Sequence, residues 1–435
     1  MRFVLAAIAL FAGCSRPVPR VIAIRGAAVI DGGEAKPAVV IVRGNKIEAV
    51  GETAAIPPGA EIVDASGKFI TPGLMDLHVH LGSTGGAGFV PGHYTRERVT
   101  KNLNAYLYFG VTTVRSVGTE RQAGLDLRDQ QRCGDVTTAR LFTAGRGFTA
   151  PGGHPSQEIG DIARQPSSTD DARAQVRELA SPKVDLIKIW IDGRKGQSPK
   201  ISRPVIEAIL DEARQFKIPV HAHIHSLEDT KHFFDHGGAG FLHMVRDSAE
   251  FDEQFVKAIV DRRAVFTPTL IRQELAWYYK DANRFDDPGI ARIATPETIA
   301  GMRKAAAEAA EASPLAREEF QLALANSKKL AGRGVAIAVG SDGGSQMDLA
   351  GLMTHREIEL LVEGGFTPAE ALAAATRNGA LALNKSAELG AIAKDRLADL
   401  LVLDANPLDD VRNLRKISRL MLDGRWIDRE ALALR

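Results

Sequence analysis

Thr71-Pro72-Gly73-Leu74-Met75-Asp76-Leu77-His78-Val79-His80 is the stretch on which the fold turns. Its apolar run predicts a strand over Leu74 to Leu81, with histidines at alternate positions. Side chains two apart on a strand share a face, so the imidazoles of His78 and His80 converge. Buried together without partners, two imidazoles are costly. A shared cation relieves that cost best, and a pair of structural histidines bonded to backbone is the competing reading.

Moving outward, short apolar strands alternate with longer helical stretches, the signature of repeated βα units. The further candidates are Val111 to Val117, Ala139 to Ala144, Leu186 to Ile191, Val220 to Ile224, Gly240 to Val245, Ala264 to Leu270 and Ala336 to Ser341. With Leu74 to Leu81 they make eight, which suits an α/β fold of (β/α)8 TIM-barrel type, with a doubly wound sheet as the structural alternative. Between Arg272 and about Pro296 a long stretch follows the seventh strand and reads as a lid or binding loop. Hairpin patterns such as Val39-Val40-Ile41-Val42 with Gly44-Asn45 occupy residues 20–70, and a similar texture returns over 386–435 in Leu400-Leu401-Val402-Leu403. The expectation is a small composite β-sandwich from both ends, around a metal-binding barrel over 71–385.

Composition narrows the classes. The chain has 435 residues, 55 Lys plus Arg against 54 Asp plus Glu, and a formal charge of +1. Such a balance offers no bulk positive field for nucleic acid. An apolar fraction of 45% and a charged fraction of 25% belong to an ordinary globular chain. Only Cys14 and Cys133 are present, so a disulfide framework is excluded and any metal must be held by nitrogen and oxygen. Met1-Arg2 followed by apolar residues to Gly13 reads as a secretory signal over 1–14, too short for a span of ~20 residues. Leu10-Phe11-Ala12-Gly13-Cys14 is similar to a bacterial lipoprotein signal, which implies export, either to the periplasm or to a membrane through a lipid anchor on Cys14. A plain secretory signal with an incidental cysteine is the alternative.

Four further strands carry chemistry. Lys188 interrupts Leu186-Ile187-Lys188-Ile189-Trp190, where a buried ammonium must lose its proton or find a partner. A neutral lysine can add carbon dioxide to form a carbamate, although the same lysine could snorkel to solvent. Val220-His221-Ala222-His223 repeats the alternating pair, and Leu242-His243 adds another imidazole. Val339-Gly340-Ser341-Asp342-Gly343-Gly344 ends the eighth strand with a carboxylate, where a barrel places reactive groups and where a helix cap is the competing use.

The order His78, His80, Lys188, His221, His243, Asp342 resembles the metal-dependent amidohydrolase superfamily over essentially the whole chain after the signal. That resemblance implies the barrel with a β-sandwich from both ends, and two divalent metal ions, zinc by expectation. His78, His80 and Asp342 would hold one ion and His221 with His243 the other, bridged by a carbamate on Lys188; His223 is left as a substrate contact. Thr149-Ala150-Pro151-Gly152-Gly153-His154 is similar to a loop of the prolidase and imidazolonepropionase branch. By that likeness His154 would reach the substrate carbonyl or carboxylate, with a surface loop histidine as the other reading.

The implied reaction is attack of hydroxide held between the two cations on an amide carbonyl. Asp342 would relay the proton to the departing amine. A small-molecule dipeptide or an N-acyl or N-aroyl amino acid is the implied substrate, its carboxylate taken by Arg246, with Arg115 and Arg146 as weaker candidates and Tyr278 covering an acyl group. A cyclic-amide hydrolase, a deaminase and a lactonase-type esterase share the scaffold, and a non-catalytic metal-binding lipoprotein is the rival of another class. The sequence leaves a homo-oligomer open.

Overall fold

A computed structural model describes residues 20–434 apart from 32, 85, 348 and 433. The expected signal over 1–14 and the candidate anchor Cys14 lie outside the described residues. The strands in chain order are β1 (Val21–Ile30), β2 (Ala35–Arg43), β3 (Lys46–Gly51), β4 (Glu61–Asp64), β5 (Phe69–Pro72), β6 (Leu74–Val79), β7 (Val111–Ser116) and β8 (Arg140–Thr143). They continue as β9 (Ile187–Trp190), β10 (Val220–His223), β11 (Gly240–Leu242), β12 (Val265–Thr267), β13 (Ala336–Ile337), β14 (Leu400–Leu403), β15 (Ile417–Leu422) and β16 (Arg425–Ile427).

Both chain ends pair into one eight-stranded mixed sheet, ordered β16-β15-β14-β5-β1-β2-β3 with β4 on β1. The junction is β5 against β14, antiparallel from Phe69 opposite Leu403 to Pro72 opposite Leu400. Strand alternation explains why β14 is apolar throughout. Leu400 and Val402 join the cluster of Ile22, Ile24, Val40 and Ile70, whereas Leu401 and Leu403 enter the large core of the parallel strands. The β15–β16 hairpin turns on Asp423 (φ 49) and Gly424 (φ 74), the twist-matched turn that Asp-Gly favours.

The other eight strands form two parallel sheets, β6-β7-β8 and β13-β12-β11-β10-β9. Every observed strand falls within its expected span, and helices such as Arg96–Tyr108 and Arg203–Gln215 connect them. Hydrogen bonds tie the two sheets to each other at both edges. The Phe148 amide donates to the Lys188 carbonyl at 2.8 Å and the Trp190 amide to the Phe148 carbonyl at 2.8 Å. On the far side the Leu77 amide donates to the Val339 carbonyl at 2.9 Å and the Asp342 amide to the His78 carbonyl at 2.7 Å.

The stretch after the seventh strand is not the expected loop. It holds helices Leu270–Tyr278, Ala282–Asp286 and Pro288–Ile293, because Leu270, Ile271, Leu275 and Tyr279 bury on one side at helical spacing. Among the described residues no helix is long and apolar enough to cross a membrane.

Gly424 tests the joining of the two ends. A Cβ there would lie 2.0 Å from the Gly44 carbonyl oxygen, at a φ of 74 that side chains avoid. Gly424→Ala is expected to destabilise the protein by ~1–3 kcal/mol, read as a lowered thermal midpoint; an unchanged midpoint would show that the contact is dispensable.

Candidate metal centre

The site stands where the parallel strands end. His78 lies on β6 and His80 just beyond it, both on the face that alternation predicts. Asp342 reaches them because its own amide is bonded to the His78 carbonyl and its φ is 54. Its Oδ1 lies 3.4 Å from His78 Nε2 and 3.0 Å from His80 Nε2. All three residues are buried, and their donor atoms lie within 4.8 Å of one another. Burial raises the Asp342 pKa, but the His78 and His80 imidazoles and then the Arg272 guanidinium outweigh it and hold the carboxylate ionised.

Asp76 splices this corner from below. Its Oδ1 accepts from the amides of His78 at 3.2 Å and Ser341 at 3.0 Å, and its Oδ2 from the Thr354 hydroxyl at 2.7 Å. The outer nitrogens of two histidines are also engaged. His80 Nδ1 meets Thr119 Oγ1 at 3.0 Å, and His243 Nδ1 meets Thr269 Oγ1.

The facing wall comes from β9, β10 and the end of β11. The His223 and His243 ring centres are 4.1 Å apart, and those of His78 and His243 are 4.9 Å apart. Lys188 is fully buried, and its Nζ has no hydrogen-bond partner among the described residues. Glycines make room for it: a Cβ at Gly118 or Gly147 would fall 3.0 or 3.1 Å from Lys188 Cγ and closer still to Trp190. Burial pushes the Lys188 pKa down to about 7, with Asp342 opposing and Arg115 assisting.

On the fifth strand the structure differs from the expected pairing. It brings His223, not His221, against His243. Both point to one face, but His221 lies in register with Lys188 and His223 with Trp190, so His221 sits ~6.6 Å deeper along the strand. There it packs on Gly240, where a Cβ would come within 2.5 Å of its Cε1, and it does not line the cavity.

The cavity has a volume of about 370 Å³ and is walled by His154, Asp192, His225, Arg246, Arg272 and Glu319 besides the donors. His154 projects from its Gly-Gly loop toward His223, with ring centres 5.4 Å apart. Burial, helped by His223 and Arg194, pushes its pKa down to about 3, so it is neutral at pH 7. Asp192 lies 3.6 Å from His223 Nε2 and accepts the Arg194 amide at 2.8 Å. Arg246 faces the cavity with its Nε unbonded among the described residues, and Arg272 Nε lies 3.7 Å from Asp342 Oδ2.

Tyr278 does not line this cavity. It lies between Arg284 and Arg356, whose guanidinium centres are 4.5 and 4.8 Å from its ring, because its helix turns Arg272 and Gln273 inward instead. Of the weaker candidates, Arg115 is spent on the Leu77 carbonyl below the site, and Arg146 bonds the Ile162 carbonyl. Sequence reading missed His225, Asp192, Arg272 and Glu319. Only His225 carried a local signal, as the third alternating histidine after His221 and His223; here its Nε2 meets Glu319 at 3.1 Å.

A family model described as "Amidohydrolase family" matches residues 69–427. This chain belongs to the amidohydrolase family. Among curated members, a dihydroorotase of an Anaeromyxobacter species is 28% identical over 225 residues, 51% of this chain and 44% of that protein. The chain thus spans less than half the length of the dihydroorotases it matches first. An imidazolonepropionase of a Geobacillus species is 26% identical over 79% of this chain and 77% of its own. A solved structure from Bifidobacterium longum, described as a "putative prolidase", superposes with a TM-score of 0.74 at 27% identity, covering 95% of each chain. The likeness therefore runs to the prolidase and imidazolonepropionase branch of the amidohydrolases.

The donor set fits the divalent metals that this family binds. Lys188 Nζ is buried without a hydrogen-bond partner among the described residues, and Asp342 Oδ1 is buried facing His78 and His80, an arrangement that is costly unless the carboxylate takes a cation and the lysine gives up its charge. His78, His80 and Asp342 form a group that can hold a metal ion.

In metal-free protein without bicarbonate, Lys188 should therefore be a burden. Its folded pKa of about 7 lies below the ordinary 10.5, so the unfolded chain binds more protons between these values. Stability then rises with pH across that window and is lowest below it. Lys188→Met should raise the thermal midpoint of the metal-free protein at pH 7 and flatten that rise; a wild-type midpoint equal to or above the variant's contradicts the burial cost.

Proposed function

We propose that this amidohydrolase is a binuclear metal hydrolase that cleaves the amide bond of a dipeptide or of an N-acyl or N-aroyl amino acid. The carrying observation is the pair of histidine clusters, His78 and His80 beside Asp342 and His223 beside His243, around one buried lysine. In this reading residues 71–385 form a closed (β/α)8 barrel, flanked by a composite β domain from 20–70 and 386–435. The bonds at both sheet edges support closure. Export with a lipid anchor at Cys14 is part of the proposal and rests on sequence alone.

His78, His80 and Asp342 would hold one divalent ion and His223 with His243 the other, with a carbamate on Lys188 between them. His223 replaces His221 as the fifth-strand ligand, on the register described above. Zinc suits imidazole and carboxylate donors. Such ions, when bound, polarise a carbonyl and make water acidic near neutral pH. The protein supplies the rest. Lys188, near half-neutral at pH 7, presents the free amine that reacts with carbon dioxide. Neutral His154 can donate an N–H to the substrate carbonyl. Asp342, held ionised, can accept a proton from water and pass it to the leaving nitrogen. Arg246 offers an unbonded Nε to a substrate carboxylate.

A second reading, hydrolysis of a cyclic amide, is favoured by the dihydroorotase matches. It uses the same centre. Metal content by plasma mass spectrometry, with dipeptide, N-acyl amino-acid and cyclic-amide panels, separates the two. About two metals per chain with amino-acid release supports the proposal, and ring opening without amino-acid release replaces it by the second reading. Asp342→Asn should abolish turnover while the protein stays folded. Arg246→Gln should lower kcat/KM for carboxylate-bearing substrates by ~10- to 100-fold, the worth of a charged hydrogen bond. Amide-capped analogues should be unaffected; an equal loss on both would remove Arg246 from carboxylate binding.

A further inference from the structure

Two helices that follow neighbouring parallel strands, Arg203–Gln215 after β9 and Leu227–Asp235 after β10, meet through a second group of metal-ligating side chains. Glu207 stands on the first, His232 on the last turn of the second, and His236 caps that helix. His232 and His236 are four apart, so they share one helix face. Their ring centres are 4.3 Å apart. Both present Nε2 to the same carboxylate oxygen: Glu207 Oε1 is 3.4 Å from His232 and 3.6 Å from His236. None of the three lines the central cavity.

Three features favour a cation over a plain ion pair. His236 Nδ1 meets the His232 carbonyl at 2.8 Å. A carbonyl can only accept, so Nδ1 carries the proton, and in the neutral imidazole Nε2 keeps its lone pair toward Glu207. His232 Nε2 is buried and makes no hydrogen bond among the described residues, despite the carboxylate beside it. The spacing also suits tetrahedral coordination: bonds of ~2.0–2.1 Å put neighbouring donors ~3.3–3.4 Å apart, against the 3.4 and 3.6 Å seen here.

We propose that Glu207, His232 and His236 form a surface site for a first-row divalent cation such as zinc, separate from the barrel centre, that clips these two helices together. Two imidazoles and one carboxylate are a common zinc ligand set, with water completing the shell. The site needs no catalytic role, and the proposal does not depend on which substrate the protein cleaves.

Zinc chloride titrated calorimetrically into protein whose central site is already loaded is the test, with metal per chain counted by plasma mass spectrometry after gel filtration. The wild type should take up a further equivalent of zinc and gain thermal stability with it. His236→Ala and Glu207→Gln, both partly exposed and outside the lining of the cavity, should each keep the central metal and basal activity but lose that uptake, or weaken it by at least ~10-fold, 1.4 kcal/mol. Uptake that stops at the central complement in the wild type overturns the site. Uptake that persists undiminished in both variants overturns it equally, since the extra zinc then sits elsewhere.

Discussion

The edge where β6 meets the strand leading to Asp342 is the constraint on which both fold and site depend. Asp76 and Ser341, joined there by a hydrogen bond, are 265 positions apart in the chain. His78 and Asp342 are brought together by backbone bonds across that edge, the Asp342 amide to the His78 carbonyl and the His80 amide to the Gly343 carbonyl. The three donors therefore come together only once the first and last parallel strands have paired. Asp76 reinforces the edge with three donors on one buried carboxylate, although burial pulls its pKa upward. A site built across such a seam is positioned by main-chain bonds, which are more rigid than side-chain packing alone.

Much of this was legible in the sequence, for a simple reason. Alternation with period two is a local property, so it located the strands and told which residues of each share a face. His78, His80, Lys188, His243 and Asp342 all stand where that reading puts them. Alternation does not report depth. His221 and His223 share a face, and only the pairing of β10 with β9 decides which is level with Lys188 and which with Trp190. Tyr278 failed for a related reason: read as part of a loop it could point anywhere, but on a helix it is rotated away from Arg272 and Gln273. Asp192 and Glu319 come from separate elements and meet His223 and His225 only through tertiary packing, which no local pattern encodes.

The charges in the cavity are arranged by burial as much as by pairing. Lys188, His78, His223 and His243 are all pushed toward their neutral forms by desolvation. Asp342 and Asp192 stay ionised because imidazoles and guanidinium or amide groups face them. A neutral, nitrogen-rich floor with a few fixed carboxylates attracts cations, whereas Arg246 and Arg272 at the wall attract anions. Both signs line one pocket, and Arg272 Nε comes within 3.7 Å of Asp342 Oδ2, so cationic side chains stand directly beside the carboxylate of the metal-donor group.

The outer bonds of the histidines complete the design and show where its strain is kept. Thr269 gives its hydroxyl proton to the Pro268 carbonyl at 2.7 Å. Its oxygen can then only accept from His243, which places the imidazole proton on Nδ1 and turns the Nε2 lone pair into the site. A hydroxyl fixes that tautomer without adding another negative charge beside Asp342 and Asp192, as a carboxylate partner would. The arrangement requires unusual backbone. His243 (φ 74), Thr269 (φ 54) and Asp342 (φ 54) all lie in the left-handed region that side chains avoid, at a cost of ~1–2 kcal/mol each. All three follow the ends of parallel strands, where the ladder bonds on either side leave the chain little freedom to relax. The strain is thus carried at the strand ends, and what it secures is the direction of the His243 imidazole and the Asp342 carboxylate, not the stability of the fold.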